Sequence, residues 1–94
     1  MSQNHYAIAR ERVRWNIVDG QAVLIHTETL YYYSLNRTGT VIWSALLEHP
    51  MTESEIIDAV AKKFGQAPSD VTGDVRAFLA QMCVEELIQS ETTA

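Results

Sequence analysis

The sequence predicts an α+β domain, a three-stranded antiparallel N-terminal sheet followed by three α-helices. Three observations predict it. Residues 12–35 fall into three short runs rich in alternating or aromatic side chains, divided by turn signals, as half-buried strands do. Residues 38–89 change to the spacing of amphipathic helices, broken at His49-Pro50 and Gly65. Strands grouped ahead of helices point to α+β rather than an alternating order.

Taken in order, residues 1–9 read as a loose tail, polar and without period. Arg12 to Ile17 alternates polar and apolar and reads as the first strand. Asp19-Gly20 is a tight-turn pair. Ala22 to His26 is the second strand, and Thr27-Glu28 a short turn. Leu30 to Leu35 carries three consecutive tyrosines and reads as the third strand. Asn36 or Thr38 caps the first helix. Val41, Ile42, Trp43, Ala45, Leu46 and Leu47 make that helix apolar nearly all round, hence central and buried. It ends at His49-Pro50, since a residue before proline avoids the helical region.

Thr52 and Glu55 form a capping box at the start of the second helix. Ile56, Ile57, Val60, Ala61 and Phe64 make its apolar stripe, and Gly65 closes it. The third helix opens at Pro68 or Ser69 and extends to about Gln89, leaving 90–94 as a tail and 10–89 as one domain. At ~100° per residue, Val71, Val75, Phe78, Leu79 and Met82 form its core stripe. One flank is acidic (Asp70, Asp74, Gln81, Glu85). The other carries Thr72, Arg76, Cys83 and Leu87, and Gly73, Ala77, Ala80 and Val84 lie opposite the core. Gly73 is either a tolerated surface glycine or a place where another backbone approaches. The βββααα order with a small antiparallel sheet suggests a winged-helix-like arrangement.

The 94 residues are 47% hydrophobic and carry a net charge of −5. A domain of this size buries only roughly 60% of its unfolded surface, too little to build a deep catalytic cavity. Basic and acidic residues balance over 1–50, so the deficit sits wholly in 51–94. The single cysteine, Cys83, excludes an internal disulfide and a CxxC motif. No secretory h-region and no apolar run near the ~20 residues of a membrane span is present, so a soluble, cytoplasmic protein is expected.

Catalytic chemistry is thin. His5, His26 and His49 are scattered, with no HxH, HExxH or His–Cys spacing, so neither a metal nor any other cofactor is expected. His26 reads as a strand residue with its polar tip at the surface. Cys83 lies late in a helix, where the dipole disfavours a thiolate, and reads as a structural thiol. Glu53 and Glu55 are first-turn carboxylates. No GxGxxG or P-loop pattern supports nucleotide binding. No catalytic residue is expected, and the protein is not read as an enzyme. Tyr31 and Tyr33 share a strand face with Leu35 and so point toward the helices; Leu30, Tyr32 and Ser34 share the other face. The tyrosines either fill the core or offer their rings and hydroxyls to a guest.

YYSLNRTGTVIWSALLE, TESEIIDAVAKKFG and DVTGDVRAFLAQMCVEELI together resemble the PqqD-like family, small domains also called RiPP recognition elements. The carriers are Leu35, Asn36, Thr38, Gly39, Ile42 and Trp43, then Thr52 to Glu55, then Asp74, Val75, Phe78 and Leu79. The likeness spans about residues 10–89. One departure is the ending Glu86-Leu87-Ile88, where the family has glycine before two apolar residues; it leaves the third helix free to run on.

The resemblance implies a peptide chaperone without catalysis. It binds the leader segment of a ribosomally made precursor as an added antiparallel strand on the third strand. A separate maturation enzyme then acts, either the leader peptidase of a lasso-peptide system or a radical SAM enzyme. The edge Leu30–Ser34 (Leu30, Tyr31, Tyr32, Tyr33, Ser34) is then the receiving strand, with Arg76, Leu79, Ala80 and Cys83 of the third helix as the opposite wall. Three other readings compete: a winged-helix nucleic-acid binder, a small enzyme, which would need a nucleophile–base pair the sequence does not show, and a dimerisation module built on Gly73, Ala77 and Ala80. The third helix carries Arg76 against Asp70, Asp74, Glu85 and Glu86, which disfavours phosphate contact. Neither nucleic acid nor membrane is expected as a partner.

Overall fold

The protein is described from a computed structural model covering residues 3–93. Chain order is β1 (Gln3–Ile8), β2 (Val13–Val18), β3 (Gln21–His26), β4 (Tyr32–Ser34), α1 (Arg37–Glu48), β5 (Met51–Thr52), α2 (Glu53–Phe64), α3 (Pro68–Val84) and β6 (Ile88–Thr93). Two antiparallel three-stranded sheets result, ordered β2-β3-β4 and β5-β1-β6.

The first sheet is the one foreseen from the sequence. Asp19 and Gly20 both take positive φ, 52° and 76°, as the two central residues of a type I′ hairpin require. Ala22, Leu24 and His26 of β3 alternate inward and are buried. The helices cover that face. Asn36 caps α1 by accepting the Gly39 amide at 2.8 Å. Inside α1, Ile42, Trp43 and Leu46 are buried, and the Trp43 ring meets Trp15 of β2 edge-on at 6.0 Å. Thr40 ties helix to sheet, its hydroxyl accepting the buried Ala22 amide at 3.0 Å. The capping box at Thr52 and Glu55 is complete, and Gly65 ends α2 in the left-handed region. On α3, Val71, Val75, Leu79 and Met82 are buried, with Phe78 packed partly against the core. Nothing lies within 4 Å of a side chain built at Gly73, so that residue is a surface glycine within this chain.

Four expectations need correction. Gln3–Ile8, read as part of a loose tail, is the central strand of the second sheet, paired with β5 and with β6. Its polar composition hid it. A strand flanked on both sides satisfies its backbone groups whatever its side chains are, and only Tyr6 and Ile8 mark its inner face. Residues 90–93, also read as tail, continue β6 against it.

The third helix stops at Val84 rather than near Gln89. Glu86 takes the left-handed conformation, φ 62°. Its amide bonds the Cys83 carbonyl at 3.1 Å and the next amide, Leu87, bonds Met82 at 2.9 Å. This pair of bonds is the Schellman closure, in which the left-handed position usually belongs to glycine. Glu86 therefore occupies the position at which the resemblance expects glycine, and its carboxylate pairs with Arg12, in the turn just before β2. The reversal seats Leu87 and Ile88 in the core, almost wholly buried.

His26 is not a surface residue. It is 5% exposed, and its Nδ1 accepts the amides of Glu28 at 3.1 Å and Thr29 at 3.3 Å. A turn that lacks an Asx or Gly residue thereby gains an acceptor for two amides.

Candidate peptide-binding edge

β4 is an edge strand, hydrogen-bonded to β3 alone among the described residues. Its register pairs Tyr32 with Ile25, Tyr33 with Leu24 and Ser34 with Val23. Just outside it, His26 donates to the Tyr31 carbonyl at 3.0 Å and Leu35 donates to the Ala22 carbonyl at 2.9 Å. Along an antiparallel strand the backbone groups point alternately to one neighbour and the other. Tyr33 and the groups just named, the Tyr31 carbonyl and the Leu35 amide, thus point into the sheet, while the Tyr31 amide donates to the Thr29 hydroxyl at 3.3 Å and the Leu35 carbonyl accepts from the Thr40 hydroxyl at 3.4 Å. Tyr32 and Ser34 direct their amides and carbonyls outward, where no strand among the described residues receives them.

The loop that delivers β4 is shaped for display. The His26 acceptor and a 2.8 Å bond from the Leu30 amide to the His26 carbonyl hold it closed. Leu30 adopts positive φ, 64°, a conformation that costs an ordinary L-residue about 1–2 kcal/mol. Leu30, Tyr31 and Tyr32 are then 64%, 65% and 75% exposed. A strained leucine beside two exposed tyrosines is a sequence of residues kept for something other than the core.

Tyr33 behaves differently. Its ring packs on the core and its hydroxyl donates to Glu85 of α3 at 2.7 Å. That hydrogen bond, with burial and the carboxylate's charge adding to it, pushes the phenol pKa up to about 12. The contact straps the edge strand to the C-terminal end of α3. From this strap a cleft runs between β4 and α3 toward the start of α1. Its first part, about 280 Å³, lies between Tyr33, Ser34 and Leu35 on one side and Phe78, Gln81 and Met82 on the other. Its second part, about 250 Å³, continues past Asn36 and Gly39 to Ala77 and Asp74. Phe78 is the divider. A methyl group at Gly39 would stand 2.8 Å from its ring, so the Thr-Gly pair of α1 is what lets Phe78 sit where it does.

The expected site residues separate into two groups. Tyr33 and Ser34 border the cleft, and Leu30, Tyr31 and Tyr32 extend the same edge outward. Tyr31 was expected to face the helices and is exposed instead, because the strand proper begins one residue later. The α3 residues Arg76, Leu79, Ala80 and Cys83 do not line the cleft. Arg76 reaches to Glu53 of α2 at 3.1 Å. Leu79 is core, and Ala80 is exposed away from the cleft lining. Cys83 is half-buried, and burial raises its thiol pKa, which suits a structural thiol.

It is the acidic flank, Asp74, Gln81 and Glu85, together with Phe78, that turns toward β4. Angular spacing sorts a helix into flanks but does not say which flank meets a given strand. The Tyr33–Glu85 bond decides it, across 52 positions of sequence. No group of three or more His, Cys, Asp or Glu able to hold a metal ion occurs among the described residues. None of the described helices is long and apolar enough to cross a membrane.

Comparison with known proteins bears on this edge. A family profile described as coenzyme PQQ synthesis protein D (PqqD) matches residues 21–88, from β3 to the first residue of β6. Among solved structures, one described as TbiB1 in complex with the TbiA(beta) leader peptide is 31% identical; the match covers 88% of this chain and 94% of that one, with a TM-score of 0.78. No curated protein sequence matches the chain.

Proposed function

We propose, for a chain that belongs to the PqqD family, that it captures the leader segment of a ribosomally made precursor peptide by strand addition to β4. One observation carries the reading: Tyr32 and Ser34 leave their backbone groups unpaired beside an open cleft. An edge of this kind is a template for an incoming strand. Main-chain bonds supply attraction with little demand on sequence, and the cleft supplies selectivity through alternate side chains. The leader loses entropy on ordering, so moderate affinity is expected. A 31%-identical neighbour whose solved complex holds a leader peptide supports the same reading.

The described residues offer no nucleophile–base pair at the cleft, so the function is to bind and present. Holding the leader raises the concentration of the attached core peptide near a separate enzyme. That enzyme would be a leader peptidase of a lasso-peptide system or a radical SAM enzyme. Nucleic acid is disfavoured as a ligand: the one basic residue of α3, Arg76, is engaged with Glu53, and the flank toward the cleft is acidic.

Calorimetric and NMR titration with synthetic leader segments of ribosomally made precursor peptides tests the proposal. Heat should be released, and the amide resonances of Tyr32 and Ser34 should shift most and gain protection from exchange. Binding that leaves both amides unmoved would reject strand addition.

A further inference from the structure

We propose that the cleft selects leader segments carrying a Lys or Arg two residues before an apolar anchor, with the anchor against Phe78 and Met82 and the cation drawn to Asp74. This rests on the strand-addition reading and deepens it.

The spacing comes from matching two periodicities. On α3, Asp74, Phe78 and Met82 succeed each other by four residues, about 6 Å per step along the axis. Same-face side chains of an extended guest recur every second residue, about 6.7 Å apart. Consecutive guest side chains on the cleft face therefore meet consecutive turns of α3. The first part of the cleft is bordered by Leu35, Phe78 and Met82, which suits an aromatic or branched aliphatic side chain. The second part, one turn away, holds Asp74.

The order follows from direction. β4 runs from the Glu85 end of α3, where Tyr33 is strapped, toward Asn36 and the Asp74 end. A guest antiparallel to β4, as every pair in this sheet is, enters at Asp74 and leaves toward Tyr32. The cation precedes the anchor.

The charge preference comes from what surrounds Asp74. No ion pair or hydrogen bond engages its side chain among the described residues, and Asp70 lies one turn before it on the same helix. The cation nearest to Asp74 in sequence, Arg76, is paired with Glu53 at 3.1 Å, and Arg37, beside Asn36 at the cleft, lies over the Phe64 ring at 4.9 Å. The positive end of α1 opens at the same place, but its Gly39 amide is already taken by Asn36. Its remaining half charge is outweighed by two carboxylates.

A phage-displayed library of linear dodecapeptides, selected on the full chain and on its Asp74→Lys variant, tests this. Asp74 is exposed on a helix, so the variant should fold; circular dichroism checks it. Peptides selected on the parent and aligned on their apolar anchor should be enriched in Lys or Arg two positions earlier, and selection on Asp74→Lys should replace them by Asp or Glu. For single peptides, Asp74→Asn should weaken a cation-bearing sequence by roughly threefold, the scale of an exposed charge pair, and leave its neutral analogue unchanged. Anchored peptides with no charge preference, or with the cation after the anchor, overturn this inference while leaving strand addition standing. A selection that enriches no extended, anchored sequence at all removes strand addition and this inference with it.

Discussion

Replacing Ser34 by proline should weaken leader binding at least tenfold while leaving the fold intact, whereas the same replacement at its neighbour Tyr33 should cost the fold itself. Ser34 directs its amide outward from β4, so a proline there removes no bond that the folded chain makes. Proline is tolerated on edge strands, and the residue before it, Tyr33, is already extended, as a pre-proline residue must be. The expected stability change is at most about 1 kcal/mol, from drawing φ in toward −65°. The incoming leader fares worse. It loses a main-chain bond worth about 0.5–1.5 kcal/mol, and the pyrrolidine ring stands where its backbone must come. A loss of at least tenfold in affinity is expected, since each ~1.4 kcal/mol is a factor of ten.

Tyr33→Pro removes an inward amide, the core-packed ring and the hydroxyl bond to Glu85 together. The lost aromatic packing and ladder bond together cost about 3 kcal/mol or more, which would unfold much of a domain this small. Urea titration reads the first quantity and calorimetric titration with leader peptide the second. A Ser34→Pro protein that folds and binds as the parent does would show that the guest does not use this edge. One that fails to fold would show that the register is misassigned.

Other outcomes follow from the same geometry. Gly39→Ala should gain about 1 kcal/mol of helix propensity yet push the Phe78 ring into the cleft; stability measured by urea should change little while leader affinity falls severalfold. Leu30→Asn relieves a left-handed leucine, since asparagine tolerates that region, and sacrifices the burial of only about a third of its surface. Melting should therefore stay within about 1 kcal/mol of the parent, with weaker leader binding if the exposed leucine meets the guest. Tyr33 has a folded pKa of about 12 against 10.0 in the unfolded chain. The raised value means its stabilising share is whole below pH 10 and is lost as pH rises from 10 through 12; Tyr33→Phe should flatten alkaline unfolding over that window.

Some of this molecule is written in local pattern. The hairpin at Asp19-Gly20, the capping box at Thr52 and Glu55 and the Gly65 stop each rest on the chemistry of a few adjacent residues. Each appeared where it was expected. The core stripe of α3 was equally legible, because helical period alone selects Val71, Val75, Leu79 and Met82. The second sheet was not. β1 and β6 lie at opposite ends of the chain, and their pairing of Ile8 with Ile88 is a contact no local window contains.

Sequence by itself therefore determined the helices up to the C-terminal end of the third, the first sheet and the presence of an aromatic edge, since turn, cap and period signals act over a few residues. Tertiary structure alone decided which flank of α3 faces that edge, what Glu86 does in place of glycine and where His26 points. The first two depend on partners many positions away, Glu85 for Tyr33 and Arg12 for Glu86; His26 accepts amides only two and three residues on, but it is the packed core that buries it. Such pairings exist only once the core has brought the elements together, so no reading of neighbours along the chain could supply them.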